Sequence, residues 1–237
     1  NNIWWRRLAQ RLLMDKKDPS AVTLLHQFID TTSSAAGIVH ALWALDGYHA
    51  MDAATLSKAL HHPVPGVREN AIQLTEKYLD KFPLIQNELL SFQNDPAAKV
   101  RFQLLCTLGS IKNEASEMVQ QKILMRDIED KWVQIAALSS SVGKEMALLE
   151  KTIPVLSSNP SEGKALFFAN CAGVIGLSKR QPDIQKIIRL ACTNNSSSSS
   201  WWQAACLKGL TKVLSVKSSP QNWEQEKSIL VSRFSAT

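Results

Sequence analysis

Pro63-Val64-Pro65-Gly66-Val67-Arg68 leads into Ala71, Leu74 and Tyr78, and Asp95-Pro96 with Val100-Arg101 leads into Leu104, Leu105, Leu108 and Gly109. Each stretch is a turn, a Val-Arg pair and then apolar residues at helical spacing, and the two arginines stand 33 residues apart. A third copy, Trp132-Val133-Gln134 followed by Ile135, Ala137 and Leu138, comes another 33 residues on. A spacing that holds twice is an internal repeat, and a period of roughly 20–50 residues marks arrays of small supersecondary units.

Weaker copies extend the series in both directions. They are Trp5-Arg6 with Leu8, Ala9, Leu12 and Leu13; Val39-His40 with Leu42, Ala44 and Leu45; Phe167-Phe168 with Cys171 and Gly176; and Trp202-Gln203 with Ala205, Leu207 and Leu210. From Arg6 through His40, Arg68, Arg101, Gln134 and Phe168 to Gln203 the intervals are 34, 28, 33, 33, 34 and 35 residues, so one alone is short. Within a copy the apolar residues follow i, i+3, i+4, i+7, i+8, as in Trp5, Leu8, Ala9, Leu12 and Leu13, which predicts a helix burying that stripe. Between copies a second helix has its own start signal: Asp52 before Ala53 to Leu60, Asn113 before Glu114 to Met125, and Ser219 before Pro220. Each unit is therefore expected to be a helix pair. Pairs this short cannot bury their apolar faces alone, so the expected fold is all-α, an α-solenoid of about seven stacked pairs running through residues 1–237 as a single repeat domain.

Composition agrees. Apolar residues make up 45% of the chain and charged residues 20%, with 9 Gly and 9 Pro, which excludes a disordered or low-complexity chain. Ala, Leu, Gln, Lys and Glu dominate, and strand-like alternation is missing. No run approaches the roughly 20 continuous apolar residues of a membrane-spanning helix. Without an initiator Met, and opening inside a helical pattern, the sequence reads as part of a longer protein. The helix pattern over Pro220 to Phe234 reads as the first half of an eighth unit, and Asn194 to Ser200 as a polar interhelical loop.

The period and the turn-Val-Arg-helix signature resemble HEAT repeats. Ankyrin repeats share the length but require a Thr-Pro-Leu-His type motif, and the tetratricopeptide pattern is missing. Three strings, Trp4-Trp5-Arg6-Arg7-Leu8-Ala9-Gln10-Arg11-Leu12-Leu13, His40-Ala41-Leu42-Trp43-Ala44-Leu45-Asp46-Gly47 and Trp201-Trp202-Gln203-Ala204-Ala205, narrow the resemblance. They look like the HEAT segment of large bacterial extracytoplasmic dehydrogenase-like proteins, where it joins a β-propeller to a cytochrome c domain. That resemblance implies a non-catalytic scaffold between flanking domains, with an extracytoplasmic location and with redox chemistry housed elsewhere in the chain.

Candidate sites follow from the same register. The aromatic and basic residues Trp4, Arg6, Arg7, Arg68, Arg101 and Trp201 form a candidate interaction surface for protein or flanking domains. Arg68 and Arg101 have a structural alternative, hydrogen bonding to loop carbonyls or to an acid such as Asp95. In each double tryptophan, Trp4-Trp5 and Trp201-Trp202, one ring is expected in the core and the other toward a neighbour or solvent. The five histidines, His26, His40, His49, His61 and His62, lack the i, i+4 spacing of a helical metal site, and Cys106, Cys171, Cys192 and Cys206 are expected as buried thiols. Neither a Gly-rich phosphate loop nor a nucleophile elbow occurs, so no catalytic, cofactor-binding or metal-ligating residue is assigned. Lys and Arg exceed Asp and Glu by 27 to 21, a net +6 that keeps a nucleic-acid-binding repeat protein as the alternative function. A lyase of the phycobilin-attachment type shares the fold class alone.

Overall fold

The computed structural model describes residues 2–111, 113–192 and 201–213. Among these there are thirteen α-helices and no strand. They are α1 (Ile3–Lys16), α2 (Ser20–Thr31), α3 (Ala35–Gly47), α4 (Ala53–Leu60), α5 (Pro65–Thr75), α6 (Pro83–Ser91), α7 (Ala98–Thr107), α8 (Glu114–Arg126), α9 (Lys131–Ser140), α10 (Glu145–Leu156), α11 (Glu162–Leu177), α12 (Gln181–Cys192) and α13 (Trp201–Val213). The chain is all-α. The polar loop at 194–200 and the pattern at 219–234 lie outside the described residues.

Local sequence explains where the helices begin. Asp52 accepts from the Thr55 N–H at 2.7 Å and Asn113 from the Ser116 N–H at 2.8 Å, so each satisfies an amide that the first helical turn leaves open. Asn2, Ser34, Asp130 and Ser161 cap α1, α3, α9 and α11 in the same way. Pro65 and Pro83 stand at the first positions of α5 and α6, where a missing N–H costs nothing. All seven register positions, Arg6, His40, Arg68, Arg101, Gln134, Phe168 and Gln203, fall on the odd-numbered helices. The short interval between His40 and Arg68 encloses α4, which at 8 residues is the shortest of the thirteen.

Two compact units divide within α8, at Val119. In the first, α3 packs on α1, α5 on α3 and α7 on α5, while α2 and α4 lie against the odd helix that follows each. Leu42, Leu45, Leu56, Leu60, Ile72, Leu74, Leu104 and Leu105 fill its core. Polar links repeat with the helices: Trp43 Nε1 donates to Asn70 at 2.8 Å, Tyr78 Oη to Asp46 at 2.9 Å and Thr107 Oγ1 to Glu76 at 2.6 Å. These three bonds span 27, 32 and 31 residues, about one repeat each.

In the second unit α11 packs on α9 and α13 on α11, with α10 and α12 against their following odd helices. Phe167, Phe168, Cys171 and Ile175 of α11 are fully buried. The α11 and α13 backbones touch, because a methyl at Gly209 would overlap the carbonyl oxygen of Ala169. Glycine permits this approach, and the contact between α9 and α11 is much sparser.

Candidate functional site

The two repeat arginines face inward. Arg68 is buried and holds buried Asp95 with both prongs of its guanidinium, Nε to Oδ2 at 2.7 Å and Nη2 to Oδ1 at 2.9 Å. Its Nη1 donates to the carbonyls of His62 and Pro63, both at 2.9 Å. Arg101, also buried, repeats the loop contact one unit later by donating to the Asp95 carbonyl at 2.8 Å. Gln134 keeps it without a charge: its Nε2 donates to Ile128 at 2.7 Å and to Gly163 at 2.8 Å. In all three the acceptor lies six residues upstream, so this position clamps the turn that begins its own helix. Burial alone would raise the Asp95 pKa, but hydrogen bonds from Arg68 and the Ala97 N–H, with the charges of Arg68 and Arg101, hold it below the usual carboxylate value. Arg68 and Arg101 thus leave the candidate interaction surface, since their guanidinium groups are spent on the fold.

Trp4, Arg6 and Arg7 lie on α1, which differs from the sequence expectation. The stripe Trp5, Leu8, Ala9, Leu12 and Leu13 was expected in the core, yet α1 has no buried residue. Trp4 is 60% and Trp5 63% exposed, their rings meeting edge to face at 5.0 Å. The reason is rotational. Arg6, Gln10 and, from the stripe, only Ala9 and Leu13 face α2 and α3 across a small cleft that Leu25, Phe28 and His40 also line. At about 100° per residue, Leu12 is about 200° round the helix from Gln10, so Trp5 and Leu12 point away from that cleft. Arg7 and Arg11 are exposed. His40 has a lowered pKa, first because it is partly buried and then because Arg6 and Arg7 oppose its protonation.

The second tryptophan pair divides as expected. Trp202 is buried, and Trp201 is half-buried with Nε1 donating to the Ser157 carbonyl at 3.1 Å. Both rings pack on Phe168, with centroids 5.6 and 5.8 Å away. Trp201 is therefore held inside its own unit. Of the proposed surface, Trp4 and Arg7 are displayed to solvent, and Arg6 lines the cleft.

Sequence reasoning missed a surface feature of the second unit, an open groove of about 560 Å³ over α9, α11 and α13. Ile135, Leu138 and Val142 line one side, Gly173, Val174 and Leu177 the floor, and Lys212 and Val213 the other side. The sequence did carry a signal. From Ala165 to Leu177 α11 has no charged residue, and Asn170 is the one strongly polar side chain on its outward face.

Three of the five histidines have separate local partners: His26 with Thr55 at 3.0 Å, His40 with Gln10 at 2.6 Å and His61 with Glu88 at 3.0 Å. No group of three or more His, Cys, Asp or Glu suited to a metal ion occurs among the described residues. Cys171 and Cys206 are buried, and burial raises both thiol pKa values, that of Cys206 to about 12. Cys192 is half-buried, and Cys106, expected in the core, is exposed on α7. No described helix is long and apolar enough to cross a membrane. Compared with protein-family models, curated proteins and solved structures, the chain matches none.

Proposed function

We propose that this chain is a non-catalytic scaffold whose helix pairs form an α-solenoid of HEAT-like repeats, used for protein–protein or inter-domain binding. The observation that carries the reading is the open apolar groove on the odd-helix side of the second unit, since a contiguous exposed apolar surface usually marks an interaction site. Side-by-side packing of consecutive odd helices within each unit supports the repeat architecture. By resemblance, the scaffold belongs to a larger extracytoplasmic redox protein, with the chemistry in flanking domains.

A photoreactive phenylalanine analogue placed at Leu177 in the source cell tests the binding role. Discrete cross-linked polypeptide adducts are expected there and not at Thr23 on α2. Equal labelling at both positions, or turnover of a sugar by the purified chain with an artificial electron acceptor, would contradict it.

A second reading, nucleic-acid binding, draws on the exposed Trp4 and Trp5 beside Arg7 and Arg11, since bases stack on aromatic rings between cationic side chains. The inward-facing Arg68 and Arg101 remove the basic ladder that such a protein would use. Binding to single-stranded DNA or RNA that weakens steeply with salt would favour this second reading. No binding at low salt would eliminate it.

A further inference from the structure

The groove of the second unit has the form and charge of a receptor for one kind of partner. Its floor is the outward face of α11, where Gly173 contributes no side chain and Ala169 only a methyl. Val142 on one side and Leu177 at the floor are 79% and 65% exposed. The nine residues of the floor from Ala169 to Leu177 rise about 12 Å, just over two helical turns. Its width follows from unequal packing: α13 meets α11 backbone to backbone, and α9 stands off.

Charge selects the partner further. Between Lys131 and Ser140 and between Trp201 and Val213 the only charged side chains are Lys131, Lys208 and Lys212, and no carboxylate occurs on either wall helix. Lys131 lies 5.4 Å above the ring of Trp132, outside the lining of the groove and beside Asp130, the N-cap of α9. Lys212 lines the α13 wall. The groove is largely apolar, with Asn170 and Ser139 as polar exceptions, and cationic along its α13 wall.

We infer that this groove docks an amphipathic helix of a partner protein, with Leu-type side chains entering between α9 and α11 and carboxylates on one flank meeting Lys212. This is the helix-in-groove mode of recognition, with apolar anchors at i, i+3, i+4 and i+7. The inference rests on the scaffold reading and gives it a ligand class.

The test uses the whole chain and two fluorescein-labelled 18-residue helical peptides of one apolar pattern, the first built from Leu, Ala and Glu and the second with Lys for Glu. Saturable anisotropy binding of the Glu peptide is expected, weakened at least tenfold by Lys212→Glu and by Leu177→Glu. Both side chains are exposed, so the melting temperature should stay unchanged. No binding of the Glu peptide, equal binding of the Lys peptide, or binding indifferent to both substitutions overturns the inference. So does dodecanoate binding in its place, which would make the groove a small-molecule site, or self-association of the chain abolished by Leu177→Glu, which would make it a homotypic interface. If the peptide fails while cross-linked adducts persist at Leu177, the acidic helix is wrong and the scaffold stands. Loss of both removes both.

Discussion

Arg68 on α5 and Asp95, the residue before the turn into α7, form a two-pronged ion pair whose side chains are only 10% and 4% exposed. The same arginine also holds two carbonyls of the turn before its own helix, so one side chain ties two successive repeats together. Removing one partner of a buried pair strands the other charge, at a cost of about 3–5 kcal/mol. Arg68→Ala should lose that much in urea unfolding. Arg68→Lys should lose less, keeping the charge without the planar fork.

The same pair makes stability depend on acid. Asp95 and Glu145 both have pKa values below their ordinary 3.8 and 4.5. For Glu145, burial pushes upward and is outweighed by hydrogen bonds from the Gly143 and Glu145 N–H groups and by Arg180. A depressed folded pKa means that the unfolded chain takes up the proton first. The stabilisation is complete above the unfolded values and is lost as pH falls below 4.5 for Glu145 and below 3.8 for Asp95. Urea midpoints measured from pH 7 to pH 2 should therefore decline in that window. Asp95→Asn should be less stable at pH 7 and show a shallower decline.

Gly209 and Gly173 should respond in opposite ways to alanine. A methyl at Gly209 overlaps the Ala169 carbonyl, so α13 must move off α11, and a loss of about 3 kcal/mol is expected from overpacking. A methyl at Gly173 meets the Gly209 carbonyl at an ordinary 3.5 Å, so Gly173→Ala should be neutral, or stabilising by up to about 1 kcal/mol through helix propensity. Urea unfolding of the two variants checks the pair.

Iodide quenching of tryptophan emission should separate the two double tryptophans. Trp4 and Trp5 are exposed beside Arg7 and Arg11, which attract the anion, whereas Trp202 is buried. Trp4→Phe with Trp5→Phe should remove strongly quenched emission, and Trp202→Phe should remove protected emission. The reverse order would mean that the α1 stripe faces the core after all.

Much of the helix register was legible because it rests on local chemistry. Asp52 and Asn113 cap the helices that their positions announce, and α4 spans Ala53 to Leu60 as the sequence indicated. The inward role of Arg68 and Arg101 was legible as one of two readings, since Asp95 stands close to Arg101 in sequence and one repeat from Arg68. Exposure of the α1 stripe was not legible. An apolar stripe says which face seeks a neighbour, while the neighbour's presence is a tertiary fact, and among the described elements α1 packs chiefly on α3. The groove escaped for a related reason. With Asn170 the only strongly polar side chain of α11 from Ala165 to Leu177, periodicity could not distinguish the face in the core from a second face left open.

Small-angle X-ray scattering of the whole chain tests the proposed repeat array most directly. Seven helix pairs stacked at the roughly 9 Å spacing of packed helices extend for about 60 Å. A compact globule of this length has a radius of gyration of only about 18 Å. The solenoid is expected to give a radius clearly above that value and a skewed, elongated pair-distance distribution. A symmetric distribution with a radius near 18 Å would contradict it.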